Sequence, residues 1–176
     1  MTRLASDDRA ATVHAMEIRE CTDADWDQVW PIVREVIQAR DTYTYDPAMT
    51  SLQARAIWVE PPPGHTVVAV QDAEVLGTAK MGPNRPGPGS HVSTASFMVG
   101  RQARGQGIGT ALCEYALDWA RSKGYAGMQF NAVAETNRSA VEIYERLGFT
   151  IVGTVPGAFE HPVLGRVGLH IMYCEF

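Results

Sequence analysis

Residues 99–110, VGRQARGQGIGT, place glycine at positions 105, 107 and 109, after an apolar run and before a helical pattern. A turn without Cβ atoms lets backbone N–H groups approach an anion closely, and the start of a helix adds about half a positive charge there. The segment therefore indicates a binding turn for phosphate or pyrophosphate. The alternative interpretation is a glycine-rich turn that only packs a helix closely against a sheet.

Two familiar nucleotide-binding motifs do not fit this segment. A dinucleotide fingerprint requires the spacing G-x-G-x-x-G, whereas these glycines alternate with single residues throughout. A Walker loop ends in G-K-[ST], and the sequence contains no such tripeptide. The turn therefore predicts an anion site of another kind.

The turn joins a strand to a helix within a longer alternation of elements. Hydrophobic periodicity and turn residues predict the order β-α-α-β-β-β-α-β-α-β-β, a single domain of α/β (α+β) class over residues 16–176. Residues 1–15 are predicted to form an N-terminal tail. In the first helix, Pro31 interrupts the apolar pattern, which predicts a kink or two abutting helical pieces.

The composition limits the classes of partner. The chain has 15 basic and 20 acidic side chains, a formal net charge of −5, which argues against non-specific binding to nucleic acid. No stretch resembles a transmembrane helix or a secretory signal, so we expect a cytoplasmic protein without a membrane partner. The three cysteines are widely spaced and the five histidines are scattered, which predicts reduced thiols and no metal site.

Two separate blocks carry a resemblance to a known family. Arg104, Gly107 and Gly109 match the pattern R/Q-x-x-G-x-G/A, the coenzyme A signature of the GNAT superfamily of N-acetyltransferases. A second block resembles the next strand–helix block of that superfamily; it consists of Asn137, Ala140, Tyr144 and the LGF of residues 147–149. The resemblance implies a GNAT-type fold, a mixed and mostly antiparallel sheet of about seven strands flanked by about four helices.

The resemblance also implies a role for each matched residue. The acyl carbonyl and the pantetheine arm of acetyl-CoA would be held by the backbone of Phe97, Met98 and Val99. The pyrophosphate would be held by the segment Arg104, Gly105, Gln106, Gly107, Ile108, Gly109 and Thr110. Asn137 would contact the pantetheine, and Tyr144 would be the general acid that protonates the departing thiolate.

Two interpretations of Tyr144 are open from the sequence alone. Val141, Tyr144 and Leu147 form a helical stripe, which is typical of core packing. As an acid, a tyrosine of pKa about 10 gives its proton to a thiolate of pKa about 8.5 at a cost of roughly 2 kcal/mol, which catalysis tolerates. The matched block favours the catalytic role.

Three further stretches are similar to the proline-analogue (azetidine-2-carboxylate) N-acetyltransferases of the same superfamily: GPNRPGPGSH, ALDWARSKGY and FNAVAETN. The similarity implies direct transfer of the acetyl group to the amine of a small molecule, such as an amino acid or a proline analogue. Asn131 is one candidate substrate residue, because an amide within an apolar strand needs a partner or a ligand. Thr94, which stands where that subfamily has asparagine, is the other.

Other functions remain open. A protein N-terminal acetyltransferase and a non-catalytic acyl-CoA-binding sensor both fit the glycine turn. Residues 91–99 contain no carboxylate to serve as general base, which favours an acceptor amine of low pKa over a lysine-like amine. A water chain, His91 or Asp41 could serve instead. Dimers are common in the superfamily, so a homodimer is compatible with the resemblance.

Overall fold

The structure, a computed structural model, describes residues 15–176, so the predicted tail lies outside the described residues except for Ala15. Strands β1 to β7 span Glu17–Glu20, His65–Gln71, Glu74–Pro83, Val92–Val99, Gly127–Ala134, Thr150–His161 and Gly165–Glu175. Helices α1 to α4 span Trp26–Ala39, Ser51–Trp58, Ile108–Ser122 and Arg138–Arg146. The order of helices and strands is the one that the sequence predicts. None of the helices within residues 15–176 is long and apolar enough to cross a membrane.

All the strands belong to one seven-stranded sheet in the order β1-β2-β3-β4-β5-β7-β6. Neighbouring strands are antiparallel except β4 and β5, which run parallel. The sheet is therefore mixed and mostly antiparallel, and the predicted fold class is confirmed.

Strands β4 and β5 separate soon after they begin. Their register contains only Val92 opposite Gly127 and Ser93 opposite Met128, and the Ser93 hydroxyl donates to the carbonyl of Gly127 over 2.9 Å. The rest of β4, up to Val99, has no partner in β5 within the described chain. Because backbone N–H and C=O groups need hydrogen-bond partners, the open edge of β4 must be satisfied by side chains, water or a ligand.

Two apolar cores lie on opposite faces of the sheet. One core packs α3 against the sheet and includes Leu112 and Met128, both fully buried. The other packs α1 and α2 against the sheet and includes Val33, Trp58 and Met98. Because successive side chains of a strand point to opposite faces, β4 contributes to both cores. Strand β4 is therefore anchored by packing on both faces of the sheet.

Helix α1 is continuous through Pro31, so the predicted break into two helical pieces is wrong. Pro31 is exposed, whereas Val29, Ile32 and Val33 beside it are buried. Proline removes one hydrogen bond from the helix, but here the lost bond lies on the side that water can reach. Packing of the opposite side against the sheet keeps the helix intact.

The N-terminal end of α1 is fastened to β1 by Asp25, which is 6% exposed. Its carboxylate accepts hydrogen bonds from the two terminal guanidinium nitrogens of Arg19 at 2.8 and 2.7 Å, and from the backbone N–H of Thr22 at 2.7 Å. The Arg19 hydrogen bonds are the largest reason that the pKa of Asp25 lies well below its usual range, and those from Thr22 add to the effect. The carboxylate form therefore stabilises the folded state.

We predict that Asp25→Asn lowers the free energy of unfolding by about 2 kcal/mol at pH 7, because Arg19 loses its charged partner. A carboxyl group with a depressed pKa contributes stability above its unfolded pKa of about 4 and loses it as the pH falls toward the folded pKa. The difference between wild type and variant should therefore shrink below pH 4. Urea unfolding at pH 7 and pH 3 measures it. The exposed Asp27, changed to Asn, is the matched control, and equal losses for both variants would contradict the assignment.

Candidate active site

The glycine turn between β4 and α3 contains two residues that need positive backbone dihedrals. Gly105 has φ of 76° and Gly107 has φ of 82°, in the left-handed region that other residues rarely adopt. No atom lies within 4 Å of where a Cβ would stand at either position. The backbone of the turn is therefore open to solvent, as a binding turn requires.

Gly109 differs from these two glycines, because its position does not require a glycine. It lies in the first turn of α3, where a Cβ would meet Val99 Cγ2 at 3.8 Å and Ile143 Cδ1 at 4.0 Å, which are ordinary contact distances. The backbone there is helical and tolerates a side chain. Of the three alternating glycines, Gly105 and Gly107 are required by their backbone conformation, whereas Gly109 lies in the first turn of α3.

The turn presents both backbone and side-chain donors. Ile108, Gly109 and Thr110 begin α3, so their N–H groups have no carbonyl within the helix to bond. Arg104 lies beside them, with Nε 3.4 Å from the carbonyl of Val99 and Nη2 3.6 Å from Glu35 Oε1 on α1. The ion pair is half-exposed, so it orients the guanidinium while leaving it able to bind an anion.

Three other residues predicted to hold the pyrophosphate lie in the glycine turn or the first turn of α3, and their side chains differ in exposure and contacts. Gln106 is exposed, and its side chain donates to the carbonyl of Gln102 over 2.8 Å. The Ile108 side chain is 5% exposed and packs into the core under α3, so only its backbone faces the turn. Thr110 is half-buried.

Phe97 marks the middle of the open edge of β4. The hydroxyl of Tyr43 donates to the Phe97 carbonyl over 2.7 Å, and the Phe97 N–H donates to the same hydroxyl over 3.0 Å. Both backbone groups of Phe97 therefore point to the side away from β3. Val99, two residues on, directs its backbone groups to the same side, because the direction alternates along a strand. Tyr43 is a contact that the sequence-based prediction missed; the clustered aromatic residues of DTYTYD were its only signal.

Met98 does not share this edge. It lies opposite Thr78 of β3, and its side chain is 2% exposed within the core under α1 and α2. Of the three predicted residues of β4, Phe97 and Val99 present backbone groups to the gap between β4 and β5. The structure does not bring Met98 to it.

Tyr144 of α4 lies across the gap from Tyr43. Its ring centroid is 4.5 Å from that of Phe130 and 6.2 Å from that of Phe97. Burial raises the pKa of Tyr144 well above its ordinary value, and the nearby Tyr43 and Cys113 add to the effect. The sequence left core packing and catalysis open for this residue, and the structure shows apolar packing of the ring beside the edge of β4. The two interpretations are therefore compatible.

Asn137 is the N-cap of α4. Its side-chain oxygen accepts from the backbone N–H of Ala140 at 3.4 Å and from the Ser139 hydroxyl at 3.3 Å. Capping occupies the oxygen and leaves the amide nitrogen as a donor. A contact with pantetheine, as the resemblance implies, would use that nitrogen.

Asn131 is exposed, and its side chain has hydrogen-bond partners within the protein. Its oxygen accepts from Gln129 at 2.8 Å, and its nitrogen donates to Asn84 Oδ1 at 2.7 Å. These hydrogen bonds connect β5 to the loop after β3 and so give Asn131 a structural role. A contact with substrate stays a prediction. Thr94 is half-buried and lies opposite Gly82.

His91, one candidate for the general base, lies at the other end of β4. It is exposed, directly precedes Val92, and has Nδ1 3.0 Å from the carbonyl of Pro88. At about 3.3 Å per residue, Phe97 is roughly 20 Å away along the strand. The structure therefore does not bring His91 to the site. Asp41 is half-buried near Tyr43 in the chain, so it remains a candidate.

Within residues 15–176, no group of three or more histidine, cysteine or acidic side chains is placed to hold a metal ion. All three cysteines are free thiols, and Cys113 and Cys174 are buried. Burial raises the pKa of both buried thiols, so they are chemically unreactive in the folded protein.

A family model described as the acetyltransferase (GNAT) family matches residues 30–149. The chain belongs to this family. The solved structure of a GCN5-related N-acetyltransferase from Kribbella flavida is 52% identical to this GNAT chain, with a TM-score of 0.90 over 92% of this chain and 98% of that one. The predicted membership of the GNAT superfamily, and with it an acetyltransferase, is confirmed.

More distant matches are also informative. N-acetyltransferase aca1 from Schizosaccharomyces pombe is 34% identical over 57% of this chain, and the match spans only 46% of that protein. The L-methionine sulfoximine/L-methionine sulfone acetyltransferase of Pseudomonas aeruginosa is 28% identical over 79% of this chain and 83% of that protein. A structure of yncA from Salmonella typhimurium with its cofactor acetyl-CoA is 22% identical, with a TM-score of 0.78 over 92% of this chain and 94% of that one, and shows a shared fold.

We predict opposite effects for two glycines of the turn. Gly107→Ala should lower the free energy of unfolding by about 1 kcal/mol, because a Cβ strains the left-handed backbone. Gly109→Ala should leave stability unchanged or raise it by up to about 1 kcal/mol, because alanine favours the helix and its Cβ has room. Thermal or urea unfolding of both variants measures the difference. A loss for Gly109→Ala as large as that for Gly107→Ala would contradict this account.

Proposed function

We propose that this GNAT protein is an acetyl-CoA-dependent N-acetyltransferase that acts on the amine of a small molecule. The observation that carries the proposal is the gap between β4 and β5, which has the glycine turn at its end and Tyr144 at its side. A backbone edge, an anion-binding turn and a phenol lie around one opening. These are the groups that binding and cleaving a thioester of coenzyme A require.

The donor is assigned from the turn and the edge together. The first-turn amides of α3 and the Arg104 guanidinium would bind the pyrophosphate, which explains how a protein of net charge −5 could hold a highly anionic ligand. The backbone groups of Phe97 and Val99 on the edge of β4 would hold the acyl carbonyl and the amides of pantetheine. Backbone donors suit this purpose because they are already oriented before the reaction begins.

Tyr144 would act on the leaving group. The acceptor nitrogen forms a bond to the acetyl carbon, the carbon–sulfur bond breaks, and the departing sulfur takes a proton from the Tyr144 hydroxyl. The ammonium proton of the acceptor passes to solvent or to a base, and the tyrosine regains its own proton afterwards. Burial raises the pKa of Tyr144. The same apolar surroundings also raise the pKa of the departing thiol, so the proton can still pass from the phenol to the thiolate.

The acceptor class is inferred from similarity. The Pseudomonas aeruginosa relative that matches most of both chains is named for acetylation of amino-acid analogues. Its name and the stretches similar to the proline-analogue enzymes both favour an amino acid or a cyclic imino acid as acceptor. The absence of a carboxylate from β4 fits an amine that is partly neutral at pH 7.

We predict that Tyr144→Phe lowers kcat about 100-fold while the affinity for acetyl-CoA changes less than twofold, because only the departing thiolate loses its proton donor. Thiol release at saturating acceptor and calorimetric titration with acetyl-CoA measure the two quantities. Because the pKa of Tyr144 is raised, kcat of the wild type should not fall between pH 7 and pH 9 through ionisation of this residue.

The control variant is Tyr115→Phe, which changes a phenol on α3 whose hydroxyl is 3.3 Å from His65 Nε2. It should leave kcat unchanged. A Tyr144→Phe protein that turns over at the wild-type rate would show that water protonates the leaving group.

The acceptor is identified by measuring thiol release from acetyl-CoA over amino acids, methionine sulfone, cyclic imino acids, polyamines and peptide N-termini. We expect turnover with an amino acid or imino acid and none with polyamines. Turnover with peptides alone would indicate an N-terminal acetyltransferase. Binding of acetyl-CoA without turnover on any acceptor would indicate an acyl-CoA sensor.

A further inference from the structure

The Tyr43 hydroxyl holds the backbone groups of Phe97 that the proposed acyl donor requires. It donates to the Phe97 carbonyl over 2.7 Å and accepts from the Phe97 N–H over 3.0 Å. We propose that Tyr43 competes with the acyl carbonyl of the donor for the Phe97 N–H, and thereby sets how strongly the protein prefers an acylated donor to free coenzyme A. The inference rests on the proposed function.

Tyr43 is well held in this position. It belongs to the segment between α1 and α2, its ring stacks on Tyr45 with centroids 5.5 Å apart, and it meets Trp58 edge-on at 6.4 Å. Trp58 is fully buried and donates from its indole nitrogen to the Thr78 hydroxyl over 3.0 Å. Packing against the buried Trp58 therefore holds the Tyr43 ring in place, with its hydroxyl beside Phe97.

The two backbone groups of Phe97 differ in how many partners they can accept. A carbonyl oxygen has two lone pairs and can accept from Tyr43 and from a ligand amide at the same time. An N–H has one hydrogen, so at good geometry it serves either the phenol or an acyl oxygen. Competition is therefore confined to the N–H.

Competition for the Phe97 N–H distinguishes acyl-CoA from free coenzyme A, which differ only in the acyl group. An acyl-CoA brings a carbonyl oxygen that would have to displace the Tyr43 hydroxyl from the Phe97 N–H. Free coenzyme A brings a thiol and no such oxygen, so Tyr43 can keep its bond. In the wild type, the binding free energy gained from the acyl carbonyl is partly offset by the loss of the hydrogen bond between Tyr43 and the Phe97 N–H. The affinity for acyl-CoA is therefore lowered relative to the affinity for free coenzyme A. Removal of the hydroxyl removes this offset.

The experiment compares acetyl-CoA with S-ethyl-CoA, which has the same size but carries a methylene in place of the carbonyl, by calorimetric titration of wild type and Tyr43→Phe. The ratio of the Kd of S-ethyl-CoA to that of acetyl-CoA should rise about fivefold in Tyr43→Phe, the equivalent of one neutral hydrogen bond. Free coenzyme A is titrated in parallel and should follow S-ethyl-CoA.

Tyr45→Phe is the matched control, because it removes a phenol hydroxyl from the neighbouring ring of the same segment. Its Kd ratio should equal that of the wild type. An unchanged ratio in Tyr43→Phe, or an equal rise in Tyr45→Phe, would overturn the inference while leaving the proposed function intact. A wild-type protein that binds neither acetyl-CoA nor coenzyme A would instead refute the proposed donor, and the inference with it.

A measurement on the unchanged protein covers the case in which Tyr43→Phe does not fold. The chain contains 5 phenylalanines, so labelling with 15N-phenylalanine gives a simple amide spectrum in which Phe97 can be assigned. Saturation with acetyl-CoA should shift the Phe97 amide to a position different from that with S-ethyl-CoA. Identical Phe97 positions in the two complexes would contradict an exchange of partners at this N–H.

Discussion

Strands β4 and β5 run parallel but pair only at Val92 and Ser93, and no strand within residues 15–176 lies beside the remaining edge of β4. Backbone groups at such an edge demand partners, because an unsatisfied N–H or C=O away from water costs free energy on the scale of a lost hydrogen bond. Side chains meet part of that demand here. Tyr43 binds Phe97, and Arg104 reaches the carbonyl of Val99. The same edge is therefore able to accept a ligand that supplies amides and carbonyls of its own.

The two faces of the sheet are packed by separate apolar cores. The core under α3 holds one face, and the core under α1 and α2 holds the other. Side chains reach the gap from both faces, Tyr144 from α4 and Tyr43 from the segment between α1 and α2. Residues far apart in the chain thus come together at one point of β4, where an acyl group would have to lie for transfer.

Charge is arranged locally, whereas the overall balance is unfavourable to anions. The chain carries a net charge of −5, yet the turn after β4 offers the first-turn amides of α3 and two arginines. Arg104 and Arg101 approach Glu35 at 3.6 and 4.0 Å, so the acid keeps the guanidinium groups near the turn. A site of this kind binds phosphate through geometry and short-range charge, which fits recognition of one small anionic ligand more than of a polyanion.

The sequence by itself determined the order of the helices and strands, the family, and the position of the glycine turn, because these depend on local periodicity and on residues close together in the chain. The structure adds the positive backbone φ angles of Gly105 and Gly107, which agree with an open turn at this place. Local patterns predicted a break at Pro31 that α1 does not have, and they did not show that Asn131 is exposed. Only the tertiary structure decided that Tyr43 binds Phe97. Contacts between Tyr43 and Phe97, 54 residues apart, arise from the packing of one segment against another strand, and no periodicity in the sequence records that distance.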